Sequence, residues 1–172
     1  DMKGVNVGPR EKDELAGFWW VAPRRVMYTV GHKLGGLEMP APTGELYTVA
    51  ADGSDERLIF GYRAGSQEIA ATRIVRATGE FAYGELISPL LDESSHALIA
   101  SYPLIASTSG TWHAVPSPAG FPEAYRIQLR TGVKTRVATS PLRNARFLAD
   151  PRGAVRFAFG ADVDQMQKVY YR

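Results

Sequence analysis

A strand–turn–strand pattern recurs along this chain nearly three times and breaks off inside the last copy. Residues 19–30 (WWVAPRRVMYTV) run as apolar strand, polar tight turn, apolar strand. Leu86-Ile87-Ser88-Pro89, the polar stretch Asp92-Glu93-Ser94-Ser95 and Ala97-Leu98-Ile99-Ala100 repeat the arrangement. Ala145-Arg146-Phe147-Leu148, Asp150-Pro151-Arg152-Gly153 and Val155-Arg156-Phe157-Ala158-Phe159 repeat it again. Strand pairs at long, regular intervals point to a radial or stacked β array.

Each full unit holds a second hairpin. In the first unit, Leu46-Tyr47-Thr48-Val49 and Arg57-Leu58-Ile59-Phe60 flank Ala51-Asp52-Gly53-Ser54. Asp-Gly between alternating apolar residues is a strong hairpin signal, because glycine adopts the positive φ of the turn without strain. In the second unit, Tyr125-Arg126-Ile127-Gln128-Leu129 and Lys134-Thr135-Arg136-Val137-Ala138 flank Thr131-Gly132. Tyr125, Ile127 and Leu129 alternate with Arg126, Gln128 and Arg130, which makes one face dry and the other wet.

The units span about 14–78, 80–139 and, incompletely, 143–172, with Val169-Tyr170-Tyr171-Arg172 in the position of a third strand. The expected fold is all-β: one partial β-propeller domain over residues 1–172, with about three blades built from four-stranded antiparallel units. A closed propeller needs about four to eight blades, so the pattern reads as an internal piece of a longer protein. Residues 5–7 and 169–171 are then uncovered strand edges, and self-association through them is expected. Prolines scattered along the chain break any long helix. Residues 66–76 (SQEIAATRIVR) fit either a short helix or a strand over 72–76, and the strand is the preferred reading.

Composition narrows the function classes. At 172 residues and 45% hydrophobic content the chain can bury a core. Its 20 basic residues are interspersed with 18 acidic ones for a net charge of +2, which speaks against nucleic-acid binding. The absence of cysteine excludes disulfides, thiolate metal sites and a cysteine nucleophile. No run approaches the ~18 apolar residues of a membrane helix. Asp1-Met2-Lys3-Gly4 does not open a signal peptide.

The residues also carry a family resemblance. Phe18-Trp19-Trp20-Val21, Arg25-Val26-Met27-Tyr28 and Gly44-Glu45-Leu46-Tyr47-Thr48-Val49-Ala50-Ala51-Asp52-Gly53 resemble the N-terminal propeller of bacterial prolyl-oligopeptidase-type serine peptidases. Leu142-Arg143-Asn144-Ala145-Arg146-Phe147, leading through Asp150 and Gly153 to Val155-Arg156-Phe157-Ala158 and Val169-Tyr170-Tyr171-Arg172, does so too. TolB-like and other propellers share hairpins of this kind. The resemblance implies a propeller that covers the mouth of an α/β-hydrolase active site and filters peptide substrates by size. It places the Ser-Asp-His domain beyond Arg172 and implies a periplasmic or secreted location. No position here matches that domain's motifs, so no catalytic residue is carried over.

Few residues of the chain carry a recognisable chemical motif. The Gly-x-Ser-x-Gly elbow of an α/β-hydrolase does not occur. In the polar stretch 107–113, Ser109 and His113 stand four residues apart, but triads are assembled from distant segments with an orienting carboxylate, and an inter-strand loop is the simpler reading. His32, His96 and His113 form no close pair of the kind a zinc site shows. Residues 31–36 lack phosphate-loop spacing. No metal or cofactor is called for. Asp13/Glu14, Asp92/Glu93 and Asp162/Asp164 read as solvated loop charges. The strand aromatics read as packing between blades, with neighbouring Trp19 and Trp20 on opposite faces, one against each adjoining blade. Loops at strand ends are where propellers contact ligands, which makes Arg24, Arg25, His32 and His113 the candidate substrate-gating residues.

Overall fold

Apolar runs separated by turns of Gly, Pro, Asp and Ser form antiparallel meanders, because short reversals of this kind can join only neighbouring antiparallel strands. A computed structural model of the chain describes residue 4 and residues 13–33, 40–66, 79–93, 95–106 and 114–172. Sheet 1 has the order β1 (Asp13–Ala22), β2 (Arg25–His32), β3 (Ala41–Ala50), β4 (Arg57–Phe60). A 3-10 turn, Tyr62–Ser66, follows it. Sheet 2 runs β5 (Ala82–Ser88), β6 (His96–Ala106), β8 (Glu123–Gln128), β9 (Lys134–Thr139), with β7 (Ala114–Pro116) paired to the far end of β6. Sheet 3 runs β10 (Arg146–Ala149), β11 (Val155–Ala161), β12 (Gln167–Tyr171). Every strand pair is antiparallel.

Strand alternation sends each sheet's side chains to two different layers. From sheet 1, Met27, Leu46, Ile59 and Phe60 pack with Ala97, Ile99, Ile127 and Leu129 of sheet 2 and the adjoining turn. Ala100, Tyr102 and Ala124 of sheet 2 pack in turn with Phe147 and Ala158 of sheet 3. Tyr28, Val30 and Val49 form a third buried cluster on the opposite face of sheet 1. β5 lies against β3 and also approaches β10, so the first strand of sheet 2 joins the sheets on either side. The chain is thus all-β, with three successive antiparallel sheets stacked in chain order as a partial β-propeller.

Several local expectations change. Trp19 and Trp20 do face opposite ways, paired to Met27 and Val26 respectively, but neither is packed between sheets. They are 40% and 55% exposed. Among the described residues their strand β1 is the edge of sheet 1, with a strand neighbour on one side only. Trp19 folds back over Gly17, where an added Cβ would lie 2.9 Å from the indole. Asp13 is not a solvated loop charge: it opens β1, its side chain is only 7% exposed, and it pairs with His32. Strand β7 and the Tyr62–Ser66 turn leave no periodic signal because both are too short to show one.

The outward face of sheet 3 presents Leu148, Phe157, Val169 and Tyr171, all exposed, with the Phe157 and Tyr171 rings 5.2 Å apart. The edge expected at 169–171 belongs to β12. The partner edge at 5–7 and the segment 72–76 lie outside the described residues.

Candidate functional site

In an antiparallel meander alternate turns fall at the same end of the sheet. The β1–β2 turn, the β3–β4 turn, Ser95 ahead of β6 and the β8–β9 turn therefore meet at one end of sheets 1 and 2. They enclose an open cleft of about 570 Å3, lined by Ala22, Pro23, Arg24, Arg25, Ala50, Ser54, Asp55, Ser95, Leu129 and Arg130. Backbone bonds hold its walls. Ala51 N donates to Arg24 O (2.9 Å) and Leu129 N donates to Ser95 O (2.8 Å). Fully buried Thr48 ties the two sheets together here, its hydroxyl donating to Leu129 O at 2.6 Å.

Asp55 organises the floor. Its backbone is left-handed (φ 53°), a conformation aspartate tolerates better than most residues. That geometry turns its carboxylate toward three guanidinium groups. Arg57 Nε donates to Oδ1 at 2.6 Å, Arg25 donates to Oδ2 at 2.7 Å, and Arg130 Nε stands 3.2 Å from Oδ2. Arg25 also donates to Thr48 Oγ1 (3.3 Å) and to the Asp55 carbonyl (3.4 Å). Burial pushes the Asp55 carboxyl up, but the hydrogen bonds from Arg57 and Arg25 outweigh it and hold the group below the ordinary carboxylate value. Arg24 stands exposed at the rim.

A pH dependence follows. Because the folded-state pKa of Asp55 lies below the unfolded one, its contribution to stability is complete above the unfolded value and fades as pH falls through the folded one. Melting temperature is therefore expected to fall more steeply on acidification from about pH 6 to about pH 3 in the wild type than in Asp55→Asn, which retains the left-handed backbone preference. Parallel melting curves for the two proteins would remove Asp55 from the acid response.

At the other end of β2 lies a different network. His32 pairs with Asp13, Asp13 lies 3.5 Å from Arg63, and Arg63 grips Glu45 through Nε at 2.7 and 2.9 Å and through a terminal nitrogen. Tyr47 donates to Glu45 at 3.3 Å and stacks on Tyr28 with ring centroids 5.0 Å apart. Burial, then the charge of Glu45, raises the Tyr47 phenol far above its usual range. The hydrogen bonds to Glu45 raise Arg63 further above its already high value.

A third set bridges sheets 1 and 2. Lys134 pairs with Glu80 while its ammonium sits 3.9 Å from the Tyr125 ring centroid and 5.3 Å from that of Phe60. Ser101 donates to Glu80 at 3.0 Å. The first of these two networks thus ties β1, β2 and β3 to the Tyr62–Ser66 turn, and the second sets Lys134 of sheet 2 over Phe60 of sheet 1.

Of the candidate gating residues, the structure brings Arg24 and Arg25 together in the cleft and sets His32 apart from them. β2 separates Arg25 from His32 by about 23 Å at ~3.3 Å per residue. His113, with Ser109, lies outside the described residues. Asp55, Arg57 and Arg130 escape a reading of sequence: Arg25 and Arg57 reach Asp55 through strand pairing within sheet 1, and Arg130 reaches it only because sheet 2 lies alongside. The available signal was positional: Arg130 follows a strand end just as Arg24 does, at a turn of the same parity. Among the described residues no cluster of three or more His, Cys, Asp or Glu side chains is placed to hold a metal ion. No family model, curated protein or solved structure matches the chain.

Proposed function

We propose that the chain is a non-catalytic propeller segment that gates peptide access in a prolyl-oligopeptidase-type serine peptidase, whose α/β-hydrolase domain carries the catalytic triad. The reading is supported by the resemblance of residues 18–28, 44–53 and 142–172 to such propellers. The observation that carries it is the cleft at the turn end of sheets 1 and 2, where Arg24, Arg25 and Arg130 surround an opening of about 570 Å3. That volume is within the ~300–1,000 Å3 typical of small-ligand sites.

The test compares the product of the complete reading frame with the 172-residue chain, both incubated with a fluorogenic proline-containing peptide. Cleavage by the full product and none by the chain alone is the expected result. No cleavage by either overturns the peptidase reading.

A second reading is a TolB-like propeller module that binds peptides or proteins without catalysis. The same guanidinium-lined cleft favours it, since binding there requires no catalytic domain. A downstream Gly-x-Ser-x-Gly followed by Asp and His in the reading frame selects the peptidase, and further propeller repeats alone select the binder.

A further inference from the structure

We infer that the cleft between the first two sheets is a carboxylate-binding subsite for peptides, with Arg130 and Arg24 as its ligand-contacting groups. The inference rests on the peptide-binding reading above and names the part of the ligand that is held.

Three guanidinium groups line the cleft against one lining carboxylate, Asp55, and a fourth, Arg57, also binds that carboxylate from behind. Neighbouring Asp52 is turned to its own loop, accepting from Ser54 N at 3.0 Å and Ser54 Oγ at 2.6 Å. Positive charge therefore remains in excess at the opening.

The arginines are not equivalent. Arg25 has a side chain only 11% exposed and is spent on Asp55 and Thr48, so it shapes the floor. Arg130 has a side chain 64% exposed and meets Asp55 through Nε. Among the described residues its two terminal nitrogens have no partner. Arg24 likewise makes no side-chain hydrogen bond among the described residues, and it is exposed. Arg24 feels the Asp52 charge without a hydrogen bond to it, so two planar donor forks present open nitrogens to the cleft, one on the β1–β2 turn and one on the β8–β9 turn.

A guanidinium fork matches a carboxylate tooth for tooth, with two parallel charge-assisted hydrogen bonds. Between the forks the lining is Ala22, Pro23, Ala50 and Leu129, an apolar strip suited to the side chain or backbone of the residue that bears the carboxylate. Exposed donor forks above an ion-paired floor and beside an apolar wall give a cleft a polar group by which to orient a small ligand. Carboxylate is the chemistry assigned, whether from a peptide C-terminus or from an acidic side chain.

The test is titration calorimetry on the full chain with four probes: acetyl-trialanine as free acid, the same peptide amidated, acetyl-Ala-Glu-Ala amide, and inorganic phosphate. The free acid is expected to bind at least about tenfold tighter than the amide. Arg24→Gln/Arg130→Gln is expected to remove that preference while leaving the melting temperature within a few degrees, since both side chains are exposed. Binding of the Glu-containing amide identifies a side-chain carboxylate as the source, and its failure identifies the C-terminus. Equal binding of acid and amide, or an unchanged preference in the double variant, overturns the subsite and leaves peptide binding itself standing. Phosphate binding without carboxylate binding overturns the assignment of ligand class. Absence of binding by every probe overturns the subsite, and the cleavage assay on the complete reading frame then decides separately whether the peptidase reading survives.

Discussion

Gly44→Ala is expected to destabilise the chain by about 3 kcal/mol, the sum of a left-handed alanine at ~1–2 kcal/mol and a forced overlap at ~1–3 kcal/mol. Gly44 lies where β3 bulges opposite Val30, with Thr43 Oγ1 donating to Val30 O at 3.0 Å and accepting from Glu45 N at 3.2 Å. Its φ is +71°, and an added Cβ would lie 2.4 Å from Tyr83 Cδ2 and 2.6 Å from Tyr83 Cα. The second of these is backbone and has no rotamer by which to move aside.

The neighbouring position on the other sheet is also glycine. A Cβ on Gly84 would meet Phe60 Cδ1 at 2.6 Å and Gly44 O at 3.0 Å. Sheets 1 and 2 therefore meet backbone to backbone through a pair of glycines, and side-chain volume there pushes β3 and β5 apart. Denaturant unfolding measures the effect, with Gly4→Ala as the reference, since none of the described residues lies within 4 Å of a Cβ at that position. A Gly44→Ala protein within about 0.5 kcal/mol of wild type, the ordinary range for surface changes, would refute the close approach of the two strands.

Arg63→Met is the second large effect, an expected loss of about 3 kcal/mol. Glu45 is 0% exposed, and removing one member of a buried ion pair typically costs ~3–5 kcal/mol because the other charge is left without compensation. Arg63 itself is 34% exposed, which places the expected cost at the lower end of that range. Its guanidinium also lies 3.5 Å from Asp13 and 5.7 Å from the Tyr62 ring centroid, so truncation disturbs more than one contact.

The double variant Arg63→Met/Glu45→Gln is expected to recover a substantial part of the loss, because the uncompensated charge is then gone. A double-mutant cycle by chemical denaturation isolates the coupling. Additive single effects, or an Arg63→Met cost below about 1 kcal/mol as at exposed surface pairs, would show that the Glu45 site is solvated in solution.

The hairpins were legible residue by residue. Asp52-Gly53 carries the β3–β4 reversal with Gly53 at φ 82°, and Gly132 and Gly153 turn at φ 72° and 81° as their positions in the turns demand. Ile127 and Leu129 are fully buried while Arg126 and Arg130 are exposed, the alternation visible in the letters. The candidate site was half legible. Arg24 and Arg25 stood out because they sit together at a strand end, whereas Asp55 and Arg130 carry no local mark that they meet.

Glu45 shows the same limit more sharply. A carboxylate in an alternating strand reads as a solvent-facing position, yet the Tyr62–Ser66 turn brings Arg63 over it and the site closes. Trp19 and Trp20 show the converse, since two large apolar side chains that belong in a core stay exposed on an edge strand.

Residue order carried the tight hairpins, because each depends on φ preferences and side-chain alternation within a short stretch, whereas β7 and the Tyr62–Ser66 turn left no such mark. Only the tertiary structure decided which faces are covered, which charges are buried with partners and which arginines converge. Those outcomes depend on one sheet lying against another or, for Glu45 and Arg63, on a turn folding back over its own sheet, which brings together residues with no local relation in the chain.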